Sequence, residues 1–391
     1  MNNGNPGAAL EGVRVLDLTR LVPGGFCAQL LGDLGAEVVK VESTQPGSLL
    51  GGGARTPFFT CVNRNKRSLA LDLKSPAARD ILLKLADRSD VLIEDMRPAG
   101  AAALGVDYDS VRARNPRLVY CSLSGFGRTG PRADTPGHEI NFYALSGLLS
   151  ITANADGSPV VPGAQITAFG AGGFPAAFAI AAALIARERT GRGQLIDMAL
   201  FDGTVMMMGL QAASYFSGGP MPAAKNTALN GLFPCYNIYK TADGRWMSMG
   251  GLEPRFWKTF CEKTGRPDLA ARAFDTTAIP EVADAVAAKT MSEWVEIFAD
   301  APACFEPVQT FEEVFHGDEQ VRARGMVIDI EQPGGASLKM LGNPVNLSDT
   351  PWRAAAPPPE LGAHSVEILE QAGFAEQDIS QLLEQGIVLQ K

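Results

Sequence analysis

The chain has 391 residues, which is long enough for two domains with a sizeable buried core. A hydrophobic content of 46% and a charged content of 20% are typical of a soluble globular enzyme. The formal net charge of -9 argues against a nucleic-acid-binding protein, whose surface would be basic.

The N-terminal half alternates β-type runs with helical patterns. Residues 13–18 and 37–42 are β-type and flank a helical pattern over 26–34. The alternation continues with β-type runs at 68–73, 91–94 and 118–123 and helical patterns at 76–88 and 110–114. This rhythm predicts an α/β fold with a large, doubly wound, Rossmann-like parallel sheet. Gly24-Gly25 lacks the Gly-x-Gly-x-x-Gly spacing of a dinucleotide-binding turn, so we reject NAD binding.

The middle of the chain is rich in apolar helical patterns. Residues 174–185 predict a buried helix, too short for a membrane span of about 20 residues. The run Met206-Met207-Met208 follows a β-type segment, and methionines at helical spacing predict core positions. The Gly- and Pro-rich stretch 217–222 then predicts a domain linker.

The C-terminal part predicts a smaller α+β domain and a return to the first one. Asp243-Gly244 separates two alternating runs, which is typical of a β-hairpin. Helical segments continue to about residue 323, a β-type tail covers 326–347, and a helix pair covers 365–372 and 376–385.

The cysteines and the N-terminus indicate the cellular compartment of the protein. Six cysteines are scattered without a Cys-x-x-Cys pair, so neither a zinc site nor a disulfide framework is indicated. Residues 1–7 are polar and have no basic start or apolar core, unlike a secretory signal. We therefore expect free buried thiols in a cytoplasmic protein with no membrane partner.

One of only three histidines lies in a distinctive box, Gly137-His138-Glu139-Ile140-Asn141-Phe142-Tyr143. Histidine can both give and take a proton near neutral pH. These residues alone favour a hydrogen-bonded histidine at the start of an element. Two further segments change that interpretation: the glycine-rich stretch 162–173 and the stretch 250–257, where Glu253 is a lone carboxylate among apolar residues.

With these three segments the chain resembles the α-methylacyl-CoA racemases, which belong to the formyl-CoA transferase-like (class III CoA-transferase) family. The resemblance runs nearly end to end, and its order and spacing are specific. It is also carried by residues 10–18, 31–42, 63–68, 124–127 and 189–194. The histidine box separates the racemase branch from the transferases, which usually lack that histidine.

The resemblance implies an architecture and a substrate. A large α/β CoA-binding domain would comprise residues 1–216, completed by 326–391, and a small domain would comprise 225–325. Two such chains would form an interlocked homodimer. The implied substrate is a 2-methylacyl-CoA thioester of lipid metabolism, with coenzyme A as part of the substrate and with no metal or other cofactor.

The family chemistry assigns roles to three positions. Inversion of a carbon α to a thioester needs one acid/base on each face and stabilisation of the enolate oxygen. The resemblance implies that His138 is one acid/base and that Glu253 orients it. The second acid/base of the family is an aspartate. Its position is occupied here by Ala168, which cannot carry a proton. Residues 164–174 contain no Asp, Glu, His, Cys or Lys that would replace it.

The alanine leaves two explanations open. The chain is an engineered aspartate-to-alanine variant, or it is a natural relative with changed or lost chemistry. The transferases carry a nucleophilic aspartate at the same site, so that chemistry would be lost as well. Three hypotheses follow: a racemase with impaired activity, a CoA transferase between carboxylic acids, and a non-catalytic acyl-CoA-binding relative.

Two further groups of residues are candidates for substrate binding. The glycines of the 162–173 stretch would let the backbone approach the thioester, or would form a tight turn before the helix; they are Gly170, Gly172 and Gly173. A basic patch suits the phosphates of CoA, although it is also consistent with a solvated charge run; it comprises Arg64, Lys66 and Arg67. The resemblance implies that the adenine lies near Arg97-Pro98.

Overall fold

The computed structural model describes residues 7–44, 55–154 and 156–391. Apart from Gly7, the N-terminal stretch that we compared with a signal peptide lies outside the described residues.

The strands, in chain order, are β1 Arg14–Asp17, β2 Glu37–Ser43, β3 Lys66–Leu71, β4 Val91–Glu94, β5 Val119–Ser124, β6 Leu195–Ala199, β7 Tyr236–Lys240, β8 Trp246–Gly250, β9 Phe305–Pro307, β10 Val327–Glu331, β11 Ser337–Leu341 and β12 Val388–Leu389. The α-helices are α1 Val22–Asp33, α2 Pro57–Thr60, α3 Pro76–Ala86, α4 Pro98–Leu104, α5 Tyr108–Arg114, α6 Glu139–Ser146, α7 Leu148–Ile151, α8 Phe174–Thr190, α9 Leu200–Met206, α10 Gly209–Phe216, α11 Pro254–Lys263, α12 Ile279–Ala287, α13 Met291–Phe298, α14 Glu319–Ala323, α15 Ser365–Gln371 and α16 Glu376–Glu384. Short 3₁₀ turns cover Pro267–Leu269 and Thr276–Ala278, and π-helical segments cover Ile166–Gly173 and Glu313–Gly317.

The main sheet confirms the predicted α/β fold. Its strand order is β12-β3-β2-β1-β4-β5-β6, and all of its pairings are parallel except β12 with β3. The chain leaves β1 toward β2 on one side and later returns to β4 on the other. The strand order therefore reverses beside β1, and ligands of such sheets bind at the carboxyl ends of the strands near this reversal. The short edge strand β12 was not predicted from the sequence.

Helices cover both faces of this sheet, as a doubly wound fold requires. On one face, α3 and α15 bury side chains such as Leu82 and Leu369 against the strands. On the other face, α1 and α8 bury side chains such as Leu31 and Ile180. The sheet is thereby held between two apolar cores.

The chain divides into two compact units. The larger comprises Met1–Ser146, Gly163–Met207 and Val321–Lys391, and the smaller comprises Gly147–Pro162 and Met208–Gln320. The smaller unit contains the antiparallel sheet β7-β8-β9 and a core around Trp257, Phe260 and Trp294. The boundaries implied by the resemblance stay a prediction. They differ from these units by assigning residues 147–162 and 208–216 to the larger domain and residues 321–325 to the smaller one.

Two details in the middle of the chain differ from the prediction. The π-helical segment and α8 form one helical stretch, Ile166–Thr190, so the helix is longer than the apolar pattern 174–185. By length and composition alone this stretch could cross a membrane, and a core helix passes the same test. Met206 and Met207 were predicted as core residues, which is wrong, because they are 69% and 43% exposed.

Glycines 24 and 25 lie inside helix α1 and not in a turn. A Cβ atom on Gly25 would lie 2.9 Å from Cγ2 of Val62, and one on Gly24 would overlap the side chain of Thr19. Helix α1 therefore begins at Val22, earlier than the predicted residue 26, because glycine allows its first turn to pack closely against the neighbouring loops.

Candidate functional site

His138 immediately precedes helix α6 in the larger unit, and its side chain is exposed. Its backbone is fixed locally: the His138 N–H donates to Oδ1 of Asn141 at 3.0 Å, and the Asn141 N–H donates to the His138 carbonyl at 2.8 Å. Within the described residues the imidazole makes no hydrogen bond or ion pair. It is therefore presented by a rigid backbone and is free to bind a ligand.

Ala168 lies in the first turns of the long helix Ile166–Thr190 and is 5% exposed. The π-helical segment that carries it packs between α1 and α9. The hydroxyl of Thr167 forms a 2.8 Å hydrogen bond with the hydroxyl of Thr204 in α9. The start of this helix is thus held in place by buried contacts on both sides.

The carboxylate of Glu139 is bound at the start of this helix, which sequence reasoning missed. Oε1 of Glu139 accepts hydrogen bonds from the Thr167 N–H at 2.6 Å and, more weakly, from the Ala168 N–H at 3.4 Å. Oε2 accepts from the Ala168 N–H at 3.1 Å. A negative charge is favourable there, because the first N–H groups of a helix have no partner within the helix and carry partial positive charge.

Tyr143 completes this arrangement. Its hydroxyl lies 2.5 Å from Oε1 of Glu139 and accepts a hydrogen bond from the Ile166 N–H at 2.8 Å. Burial and the hydrogen bond to the Glu139 carboxylate raise the pKa of Tyr143 to about 12, so this hydroxyl stays protonated and acts as a donor. Side chains one turn apart on α6 therefore bind three successive N–H groups, those of residues 166–168.

For Gly172 and Gly173, the geometry does not support the predicted close approach of the backbone to a thioester. Both are buried, and a Cβ on Gly173 would lie 2.7 Å from Cδ1 of Phe26 and 3.0 Å from the carbonyl of Pro23. A Cβ on Gly172 would overlap Leu200. They allow the helix to pack closely on its neighbours. Gly170 is half-buried and has more space, with only Cε of Met207 near, at 3.8 Å.

Arg64 does not lie on an exposed basic patch. This residue is 2% exposed, and its guanidinium forms a two-point ion pair with the carboxylate of Asp33, at 2.8 and 2.6 Å. It also donates to the carbonyl of Leu341 at 2.5 Å. A buried guanidinium that is paired with a carboxylate is not exposed to a phosphate in this structure.

Lys66 is also not exposed. Its ammonium is fully buried and donates to Oδ2 of Asp17 at 2.9 Å and to the Gly25 carbonyl and Oδ1 of Asn63, both at 2.8 Å. Burial lowers the pKa of Lys66 to about 8, against the opposing effect of Asp17. Burial alone would raise the pKa of Asp17, but Lys40 and Lys66 lower it to about 2.

The two remaining candidate cations differ from each other. Arg67 is half-buried and donates to Glu37 at 2.6 Å and to Gln371 at 2.9 Å. Arg97 is exposed at the N-cap of α4, and its guanidinium has no hydrogen bond or ion pair among the described residues. Of the basic residues selected from the sequence, Arg97 is the one that is free to contact a phosphate.

Glu253 belongs to the smaller unit. It is exposed at the N-cap of α11, and its carboxylate makes no capping hydrogen bond. Burial raises the pKa of the Cys304 thiol, and the nearby charge of Glu253 raises it further. The role of Glu253 toward His138 stays a prediction. Among the described residues no group of three or more His, Cys, Asp or Glu side chains could hold a metal ion.

Comparison with known proteins identifies the family of this chain. The model of CoA-transferase family III matches residues 10–365. Alpha-methylacyl-CoA racemase of Homo sapiens is 37% identical over 386 residues, which cover 97% of each chain. Succinyl-CoA:glutarate CoA-transferase of Homo sapiens is 34% identical over 409 residues, covering 99% of this chain and 91% of that protein. These identities support an enzyme of this family without separating isomerase from transferase.

A solved structure agrees with this result. The crystal structure of a CAIB/BAIF family protein from Brucella suis matches with a TM-score of 0.80 and 29% sequence identity, over 94% of this chain and 100% of that chain. The predicted resemblance to this family is thereby confirmed, and the chain belongs to CoA-transferase family III.

Proposed function

We propose that this chain is an α-methylacyl-CoA racemase-like enzyme that abstracts and returns the α-proton of a 2-methylacyl-CoA thioester. The observation that carries the proposal is His138: an exposed imidazole, without an intramolecular partner among the described residues, on a backbone fixed by Asn141. A general base must be able to reach its substrate and hold its orientation, and His138 meets both conditions.

The start of helix α6 supplies a place for the enolate oxygen. The backbone N–H groups of Glu139 and Ile140 make no hydrogen bond within the described residues, since the first N–H groups of a helix lack an intrahelical partner. They lie directly after His138. Donors held in place before the reaction stabilise developing negative charge without reorganisation, which lowers the barrier to α-proton removal.

For the CoA moiety, we propose Arg97 as a phosphate contact, since its guanidinium is exposed and unpaired. Proton transfer next to a thioester needs no metal and no redox cofactor, so none is included in the proposal. A homodimer, which the resemblance implies, belongs to the same proposal and is checked by light scattering after size-exclusion chromatography.

The experiment follows deuterium uptake at the α-carbon of each epimer of a 2-methylacyl-CoA in D₂O. At least one epimer should exchange, and His138→Ala should lower that rate by about 10²–10⁴-fold. His316→Ala, which changes an exposed histidine of the smaller unit, serves as the matched control. Absence of exchange from both epimers, with acyl-CoA bound, would defeat the proposal and favour a non-catalytic binding protein.

CoA transfer between carboxylic acids is the second candidate, because the CoA-transferase relatives are nearly as similar as the racemases. The chain lacks the aspartate nucleophile that the resemblance implies for that reaction, which counts against it. The two are separated by offering a carboxylic acid acceptor: a transferase moves CoA to the acceptor, whereas a racemase leaves CoA on the original acyl group.

A further inference from the structure

The carboxylate that accepts a hydrogen bond from the Ala168 N–H belongs to Glu139, 29 positions earlier in the chain. We propose that Glu139 is the acid/base on the face opposite His138, in place of the aspartate that the family carries at position 168. This inference rests on the proposed function and deepens it, because it supplies the second proton-transfer group that the sequence lacks.

The hydrogen bonds leave part of this carboxylate free to react. Oε1 is occupied by the Thr167 N–H at 2.6 Å and by the Tyr143 hydroxyl at 2.5 Å. Oε2 accepts only the Ala168 N–H, at 3.1 Å, within the described residues. Each carboxylate oxygen has two acceptor positions, so Oε2 keeps one for a proton. One oxygen holds the group in place, and the other is available.

Position and access also fit this role. Glu139 is half-buried and lies next to the exposed His138 in the chain. Among the described residues, Glu139 is the acidic side chain that bonds to the N–H groups of Thr167 and Ala168.

The proposed step balances as follows. In one direction, Oε2 of Glu139 takes the α-proton, and the electron pair of the broken C–H bond moves into the thioester to form the enolate. A protonated imidazole of His138 then gives its proton to the α-carbon from the other face. The electron pair returns to form the new C–H bond, and the thioester is restored. The opposite direction uses a protonated Glu139 and a neutral His138.

The test measures α-deuterium uptake separately from each epimer for the unchanged protein and for Glu139→Gln. The amide keeps an oxygen that accepts hydrogen bonds but cannot take the proton. We expect both epimers to exchange in the unchanged protein. In Glu139→Gln, exchange of one epimer should fall by about 10²–10⁴-fold, while His138-dependent exchange of the other stays within a few-fold. Glu376→Gln, on an exposed glutamate of α16, is the control.

Adding Ala168→Asp to Glu139→Gln makes the test independent of folding defects. The double variant should recover exchange of the lost epimer, because a carboxylate returns to the same helix start. Three results would overturn the inference: exchange of a single epimer in the unchanged protein, equal loss for both epimers in Glu139→Gln, or no loss for either. Exchange of neither epimer in the unchanged protein would instead overturn the proposed function itself.

Discussion

Replacing Lys66 by methionine should destabilise the larger unit without a specific effect on CoA binding. The ammonium is fully buried and makes hydrogen bonds to Asp17, Asn63 and the carbonyl of Gly25. Its loss leaves the buried Oδ1 of Asn63 unpaired, at about 1–3 kcal/mol, whereas the Gly25 carbonyl lies inside helix α1 and keeps its intrahelical donor. Asp17 keeps Lys40, at 3.3 Å, as a partner, which limits the further loss. Breaking a buried ion pair costs about 3–5 kcal/mol, and we expect this range.

Arg97→Met is the matched comparison, because it makes the same change to an exposed and unpaired cation. Its free energy of unfolding should stay within about 0.5 kcal/mol of the original. Its acyl-CoA affinity should fall about tenfold or more, because a hydrogen bond between charged groups contributes about 1.5–3 kcal/mol.

Urea unfolding followed by circular dichroism measures the stability of both variants, and isothermal titration calorimetry of the folded protein measures their affinity for an acyl-CoA. Lys66→Met should change the first quantity and Arg97→Met the second. The reasoning is refuted by the reverse pattern, in which Lys66→Met is as stable as the original and binds acyl-CoA much more weakly.

Three further outcomes are expected. Acyl-CoA binding should saturate in calorimetry and survive EDTA; no binding at millimolar ligand would contradict this. Ala168→Asp should increase racemisation in a chiral assay, and adding His138→Ala should remove that gain, non-additively. A folded, acyl-CoA-binding Ala168→Asp protein that racemises no branched substrate would favour the alternatives. The pKa of Asp17 in the folded protein is lowered to about 2, so the ionised carboxylate contributes about 2 kcal/mol to the free energy of unfolding. This contribution is present above pH 4 and is lost as the pH falls toward 2. Asp17→Asn should flatten that part of the stability curve; an unchanged curve would show that Asp17 does not cause it.

The sequence predicted the main sheet well because its strands are local patterns. Runs such as those around Leu16 and Val91 are apolar over several residues and are bounded by helices, and both features can be recognised within a short window. The edge strand β12, Val388–Leu389, has only two residues, so it carries no pattern of its own. It pairs with β3 because the chain end returns to the sheet edge, which is a tertiary effect.

The same distinction explains the site. The exposed His138 stood out because its box is contiguous. The burial of Lys66 could not be recognised, because its partner Asp17 lies 49 positions away. Charged residues are buried when carboxylates elsewhere in the chain pair with them, and spacing along the sequence does not show this. A search of residues 164–174 for a substitute carboxylate likewise missed Glu139, which folding brings to that helix start.

Exposure of the methionine run has a similar cause. Met206 is the last residue of helix α9 and is exposed, whereas Leu200, Gly203 and Thr204 of the same helix are buried. Apolar periodicity does not distinguish an exposed apolar helix face from a buried one.

The most direct test of the account is α-deuterium uptake by the unchanged protein from each epimer of a 2-methylacyl-CoA in D₂O, with a carboxylic acid acceptor present. We predict that deuterium enters the α-carbon of both epimers, that CoA stays on the original acyl group, and that His138→Ala abolishes exchange of one epimer. Transfer of CoA to the acceptor, without deuterium at the α-carbon, would contradict the account.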